Sequence, residues 1–537
     1  MGMISGHDTQ AAVFKGEEFF NAIKDGSFPP RWSKRLDFGL GQPTFTFTYS
    51  MPYYLMSAIM FLNSGPIWAF KIVMAASFPC GAFFTFLWLK KHFGGLPAFL
   101  ASLLYAYLPY HFANVYVRGD IGETVAAAWL PLAFWGLDRV IDSPTPAKTA
   151  VAALTVAAVI ISHPFYGLVF GAIWTGYILL RSRKNIQALK MAMTALIWGY
   201  VCCAFYIIPS LVYKNMTFLS RLESYFIEKQ YFVTLDRIFY SPWGFDGANE
   251  LDRRPMSVQA GLVAWGFFTG WLGIALLSKK VRKDRHFYEG LYFSMLTVAA
   301  VFLMLSISLP VWKLLSPMEN LQFPWRLLFV VNIGMTYLAG FVLRYLAGIL
   351  KQNKIKLLVF TGLAGLIIIA SRSYWSVGRY FPYVDLTREA IGYPGTLTML
   401  LEETPVWHSR NQEANPHNFI QNAEGRAILL TMLVWKTNYH KFLVVTDKPI
   451  AVNDKTHFWP GWKVWVDGVA SPTLDPFAKI SQGLITFRVG PGTHIVETRL
   501  TETGVEQTSD SISLISIFGA VAISLPGVLR LKRHDTV

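Results

Sequence analysis

The chain has 537 residues, of which 53% are hydrophobic and only 15% charged, with a mean hydropathy of +0.37. Soluble domains carry about 25% charged residues, so this composition excludes a soluble enzyme, a disordered chain and a disulfide-stapled secreted domain. The net charge of +15 reads as the cytoplasmic Lys/Arg bias of a polytopic membrane protein rather than a nucleic-acid footprint, and no nucleic-acid partner is expected.

Aromatic residues reach 15%, as expected where rings anchor at lipid–water interfaces. In chain order, apolar runs of roughly 17–24 residues, enough to cross about 30 Å of hydrocarbon, occur near 66–89, 95–113, 123–140, 189–210, 258–278, 289–309, 325–345, 355–371 and 511–529. The stretch 148–181 is broken by Ser162-His163-Pro164 and reads as two short helices in a hairpin, for about eleven transmembrane helices in all. The run 51–62, beside Pro52, is too short to span and reads as a re-entrant or interfacial helix. Cys80, Cys202 and Cys203 lie in apolar runs without Cys-x-x-Cys or Cys/His spacing, so neither structural zinc nor a disulfide is expected.

Short basic segments fix an orientation. Lys90-Lys91, Arg181-Ser182-Arg183-Lys184, Lys279 through Arg285, Lys351 through Lys356, and Arg530-Leu531-Lys532-Arg533 all fall on one side when the spans alternate. That side is cytoplasmic by the positive-inside rule. The expected organisation is a first extracytoplasmic loop over 1–65, a transmembrane domain over 66–371, an extracytoplasmic segment over 372–510, and a final helix with a basic tail over 511–537. Exporting residues 1–65 requires a preceding span, so a missing first helix is the expectation there.

The second half of 372–510 alternates apolar and polar residues in short runs. Lys441–Val445, Trp462–Val466, Leu484–Val489 and His494–Arg499 read as strands, with turns at Asp467-Gly468 and Gly490-Pro491-Gly492. A small antiparallel β-sandwich is expected.

Three outer clusters carry candidate chemistry. The first is Gly6-His7-Asp8-Thr9-Gln10 with the long aromatic loop that follows, through Arg31-Trp32 and Leu36–Pro43; loops of this length in compact proteins are usually functional. The second is Tyr116 through Glu123, where Asp120 and Glu123 share the first turn of a helix and complement its dipole, with Arg118 as their pairing partner. The third is Glu319 through Arg326. An arginine just inside a membrane boundary is costly unless it snorkels or meets an anion, and a planar guanidinium suits phosphate better than an ammonium does. His163 reads as a helix-break histidine with a structural hydrogen bond, or else as a proton donor or polar lining. No Walker loop, dinucleotide fingerprint, His-Glu-x-x-His or Gly-x-Ser-x-Gly occurs, which argues against a pump or a kinase.

With these residues in view, the chain resembles bacterial multi-span proteins carrying the 6-pyruvoyl-tetrahydropterin synthase-related membrane domain, akin to YfhO-like proteins of the GT-C glycosyltransferase superfamily. The resemblance rests on His7-Asp8-Thr9, Val117-Arg118-Gly119 with Glu123 and Leu130-Pro131-Leu132, Ser162-His163-Pro164, Leu321–Arg326, Phe458–Val464 with Val466-Asp467-Gly468, and Gly490–His494. It implies a GT-C-like fold whose active site lies at the outer membrane face, a polyprenyl-phosphate sugar as donor, and a glycan or lipid acceptor. The first-loop carboxylate that would act as base matches Asp8, with Arg326 and Arg118 as a phosphate clamp. Asp120 and Glu123 would orient the acceptor or hold a divalent cation, the one cofactor in view. No zinc-binding His triad that would favour pterin chemistry is visible. The other reading is a non-catalytic lipid or glycan transport or assembly protein, which would show charged pairs within several helices; Lys71 is one of few such charges.

Overall fold

The computed structural model describes residues 2–37, 39–218, 231–248, 253–314, 322–381, 403–407, 420–422 and 429–534. Phe38, Glu319, Asn320, Leu321 and much of the first half of 372–510 lie outside them. The protein is mostly helical, with a small two-sheet unit before its last helix. Among the described residues, six helices are long and apolar enough to cross a membrane: Pro66–Phe93, Ile121–Asp142, Phe287–Met304, Pro324–Ile349, Asn353–Ala370 and Gly504–Leu525. A seventh span arises if Ile186–Cys202 and Ala204–Met216, bent by 61° at their break, are taken together.

Of the eleven spans expected, six or seven meet that length among the described residues. Every expected run contains helix, but several are cut short. Gly95–Ala106 has 12 residues, about 18 Å of rise against about 30 Å of hydrocarbon. Beyond it Pro109 opens a new turn and the chain widens into a π-type turn over Ala113–Arg118. Pro146–Ser162 stops at His163, whose φ of −161° and ψ of 119° are extended, as a residue before proline requires.

The bundle packs on small residues. Ile121–Asp142 lies against Pro66–Phe93 and Pro146–Ser162. A Cβ on Gly136 would meet Thr155 Oγ1 at 2.6 Å and Ala152 Cα at 3.1 Å, so the two backbones approach as closely as glycine permits. The Leu328–Ile349 helix is buried along nearly its whole length and forms the centre, where Phe293 stacks on Tyr337 at 4.4 Å.

Residues 1–65 are not simply loop. Thr9–Lys24 and Met51–Met60 are helices that pack on each other and on Pro66–Phe93. In the first, Ala12, Val13, Gly16, Phe19 and Ala22 recur at helical spacing and are buried together. The short strand Met3–Ile4 pairs with Tyr380–Phe381, bringing the start of the chain to the end of the Asn353–Ala370 helix.

The terminal unit is a β-sandwich. One sheet runs Leu429–Trp435, Tyr439–Thr446, Gly492–Leu500, Trp462–Val466, Val469–Ser471; the other runs Ile420–Asn422, Ile450–His457, Leu484–Val489, all pairs antiparallel. Phe442, Val444, Val464 and Val496 from the first sheet share one core with Val452, Ile485 and Phe487 from the second. Asp467 and Gly468, at φ 50° and 80°, make the tight hairpin turn. The Ile450–His457 strand escapes a sequence reading because its buried positions include Asn453, Asp454, Thr456 and His457. Asp454 is satisfied by His440 Nδ1 at 2.8 Å and by Thr498 Oγ1 at 2.7 Å.

The sandwich and the stretch before it are tied to the N-terminal segment by polar contacts. A register shift between Asp454 and His457 turns His457 outward from its sheet, where its Nε2 lies 2.6 Å from Asp37 Oδ2, and its backbone N–H donates to Leu40. Asp25 accepts from Thr437 N and Oγ1 at 2.7 and 2.8 Å, and Lys15 pairs with Glu403 at 2.9 Å. Both Asp37 and His457 are buried, so His457→Leu should cost about 1–3 kcal/mol. Thermal unfolding with limited proteolysis should show the sandwich loosening; unchanged behaviour would mean that other contacts carry the docking.

Candidate functional site

Asp8 is placed by backbone, not by its side chain. His7 N–H donates to Val117 O at 3.0 Å and Asp8 N–H to Arg118 O at 2.7 Å, laying residues 6–9 against the turn that ends at Gly119. Asp8 is the N-cap of Thr9–Lys24, its carbonyl accepting from Ala12 N–H at 2.8 Å while its carboxylate makes no capping bond. Oδ1 of that carboxylate is buried and has no hydrogen-bond partner among the described residues. Burial pushes the Asp8 pKa above the usual carboxylate value, the charge of Asp120 adds to this, and Arg118, His7 and Arg326 oppose it. Among the described residues Oδ1 thus sits unpaired, within the field of two guanidiniums.

Beneath it lies a buried charge cluster. Arg118 reaches Asp120 Oδ2 at 2.8 Å, Glu123 Oε1 at 2.8 Å and Asn114 Oδ1 at 2.6 Å. Arg326 reaches the same Glu123 Oε1 with Nε at 2.9 Å and donates to Gln322 Oε1 at 3.0 Å. Tyr110 donates its hydroxyl to Glu123 Oε2 at 2.7 Å. Asp120 caps the Ile121–Asp142 helix by accepting from Glu123 N–H at 2.9 Å. Aromatic faces enclose the guanidiniums: Arg118 lies 4.9 Å from the Trp325 ring, and Arg326 lies 5.1 and 5.2 Å from Phe165 and Phe323.

The structure therefore brings Asp8, Arg118, Asp120, Glu123 and Arg326 to one end of the bundle. Arg118 pairs with both carboxylates, and Asp120 and Glu123 share a helix start, as the sequence indicates. Arg326 does not snorkel: it sits in the turn Pro324–Leu327 before its helix, is buried, and faces Glu123 rather than water. His163 does not make the expected structural bond through Nδ1, which has no partner among the described residues; its ring stacks on Tyr49 at 5.4 Å. Tyr110, Asn114 and Tyr49 join the site unannounced. Tyr110 and Asn114 lie at i and i+4 ahead of Arg118 and could have been found by helical spacing.

Asp120, Glu123 and His163 each offer a ligand atom within 4.8 Å of the others. Two guanidiniums already balance both carboxylates, so a divalent cation there would meet repulsion that the pairing has removed. Among the described residues, buried atoms without a hydrogen-bond partner gather here as well: His163 Nδ1, Asn114 Nδ2, Tyr166 OH and Trp325 Nε1, beside Asp8 Oδ1. Buried polar groups normally find partners, so this concentration marks a place for water or a ligand.

Gly119 sets the approach of Asp8. Its φ is +67°, and a Cβ there would stand 1.9 Å from Thr9 Oγ1 and 2.9 Å from Thr9 N. Gly119→Ala should cost more than about 1–2 kcal/mol from backbone strain alone, with displacement of the Asp8 segment in addition. Thermal unfolding in detergent reads this; a variant as stable as the wild type would contradict the observed contact.

No curated protein matches the chain. A family model described as the 6-pyruvoyl-tetrahydropterin synthase related domain, of membrane proteins, matches residues 45–378. That span takes in Arg118, Asp120, Glu123, His163 and Arg326, and leaves Asp8 and the β-sandwich outside it. The chain belongs to the 6-pyruvoyl-tetrahydropterin synthase related family of membrane proteins.

Proposed function

We propose that the protein is a membrane glycosyltransferase that moves a sugar from a polyprenyl-phosphate donor to a glycan or lipid acceptor. The reading is that of a GT-C-like enzyme in a bacterial-type inner membrane. The observation that carries it is the half-buried Asp8 carboxylate, whose Oδ1 has no hydrogen-bond partner among the described residues, held in the field of Arg118 and Arg326 at one end of the bundle. The basic residues Lys91, Arg181 and Arg285 lie at the other end, beside Asp142, Glu289 and His286, which supports reading the Asp8 end as extracytoplasmic.

The chemistry follows from the donor. The acceptor hydroxyl oxygen bonds to the anomeric carbon, the anomeric C–O bond to phosphate breaks, and polyprenyl phosphate leaves with the electron pair. The hydroxyl proton passes to Asp8, whose raised pKa makes it a better base than an exposed aspartate. Arg118 and Arg326 stabilise the departing phosphate, with Asp120 and Glu123 holding them in place. The lipid chain has room: an apolar cavity of about 570 Å3 is lined by Phe70, Met74, Phe78, Leu103, Phe112 and Val115, within the range of ligand pockets. Ile4, Tyr116 and Lys71 also line it, so it runs close to the Asp8 segment. The β-sandwich, packed on the first outer segment, would recognise the acceptor.

A second reading, a non-catalytic carrier of lipid-linked glycans, draws on one observation. Charged side chains from separate helices, Asp138, Arg181 and Glu289, interlock at the far end of the bundle. Proteoliposomes loaded with a polyprenyl-phosphate sugar separate the two readings, since an enzyme forms product and a carrier only moves the lipid.

Asp8→Asn keeps shape and removes basicity, so transfer should fall about 10²–10⁴-fold with donor affinity little changed. The wild-type rate should fall as acid protonates Asp8, along a limb that begins above the ordinary carboxylate pKa; Asp8→Asn should lack that limb. Arg326→Ala should instead weaken donor binding, with Lys restoring it only partly for want of a bidentate contact. Wild-type transfer by Asp8→Asn would remove Asp8 as the base.

A further inference from the structure

Asp120 and Asp138 stand on the same helix, 18 residues apart, or about 27 Å. Around Asp138, at the end opposite the Asp8 site, three side chains converge. His92 comes from the last turn of Pro66–Phe93; His286 and Glu289 come from the start of Phe287–Met304. All three are buried. His92 Nδ1 lies 3.3 Å from His286 Nδ1 and 3.4 Å from Glu289 Oε2, and His286 Nδ1 lies 2.8 Å from that same oxygen.

We propose that His92, His286 and Glu289 bind one divalent first-row transition-metal ion, with Zn2+ the ion the ligands suit best. Zinc bonds of about 2.0–2.1 Å at tetrahedral angles place neighbouring ligand atoms about 3.3–3.4 Å apart. Two of the three separations have that value, and the third needs only a small opening. Two imidazoles with one carboxylate is also a ligand set borderline divalent ions favour.

Hydrogen bonding makes a second case. His92 Nε2 is 2.6 Å from Asp138 Oδ2, whose carboxylate also accepts from Trp88 Nε1 at 3.1 Å and Tyr177 OH at 2.8 Å. Nε2 of His92 is thereby committed, and its Nδ1 is the atom that faces His286 Nδ1 and Glu289 Oε2. A carboxylate behind the distal nitrogen of a ligating histidine is the usual orienting device at metal sites. The remaining Glu289 oxygen is held by Arg181 at 2.5 Å, and Tyr337 donates to Oε2.

One contact must yield. Arg285 Nε donates to His286 Nε2 at 2.8 Å; with an ion on Nδ1 the ring proton moves to Nε2, which can no longer accept. Arg285 is exposed and can turn to solvent. Of the nearby charges, Arg181 pairs with Glu289, Asp142 and Asp138 at 2.5, 3.0 and 3.6 Å, and Lys91 pairs with Asp142 at 2.5 Å, so the ion shares Asp138 and Glu289 with Arg181. A water or the Tyr337 hydroxyl takes the fourth position. The ion would clip the end of one helix to the start of another on the basic face, remote from the Asp8 site.

The test uses tag-free full-length protein in detergent, stripped with chelator and then equilibrated with Zn2+ or Co2+. One tightly held equivalent, the visible d–d bands of four-coordinate Co2+, and a thermal midpoint that rises with Zn2+ concentration are expected. His286→Gln and Glu289→Gln should lose the equivalent, and Asp138→Asn should weaken it about 10–100-fold as a positioning residue. Should those variants fail to fold, the Co2+ bands and Zn2+ shift of the wild type still decide. A wild type without either, its charge then being a proton on His92, would overturn the proposal. So would an ion retained by His92→Ala/His286→Ala.

Discussion

Glu123 holds the Asp8 end of the molecule together. Its carboxylate is fully buried, yet it meets Arg118 at 2.8 Å, Arg326 at 2.9 Å and the Tyr110 hydroxyl at 2.7 Å. An isolated charge in such surroundings would be prohibitively costly, so neither arginine can leave without exposing that cost. Three chain segments are fixed as a result: the π-type turn 113–118, the start of the Ile121–Asp142 helix, and the turn before the Leu328–Ile349 helix. The Arg118 carbonyl, held by that turn, receives the Asp8 N–H. Asp8 therefore inherits its position from a pairing in which it takes no part.

The legible parts of the sequence were the local ones. Asp120 and Glu123 sit three apart ahead of an apolar run, and the capping bond follows from that spacing. Tyr439–Thr446 alternates cleanly because one face packs in the sandwich and the other does not, whereas Leu484–Val489 is buried at every position but Arg488 and was legible from its β-branched and aromatic residues. Arg326 was visible as a charge out of place, but its partner Glu123 lies some two hundred residues earlier, beyond any periodicity. His92 and His286 were silent for the same reason, since metal spacing rules read neighbours and these ligands meet only through helix packing. The Thr9–Lys24 helix was a different kind of miss. Its buried positions do recur at helical spacing, and reading residues 1–65 as loop passed over them.

The Ile121–Asp142 helix links the two polar centres. At its start Asp120 and Glu123 are balanced by arginines from two other segments; near its end Asp138 is balanced by His92 and Arg181. Between them the helix is small and apolar, packed on alanines, and carries no charge from Thr124 to Leu137.

A double-mutant cycle on Glu123→Gln and Arg326→Gln, by reversible unfolding in mixed micelles, tests the dependence most directly. Each single change strands a buried charge and should cost about 3–5 kcal/mol. The double variant should cost less than the sum, by a coupling of about 0.5–3 kcal/mol. Costs that simply add would mean that Glu123 does not hold Arg326, and the placement of Asp8 would need another cause.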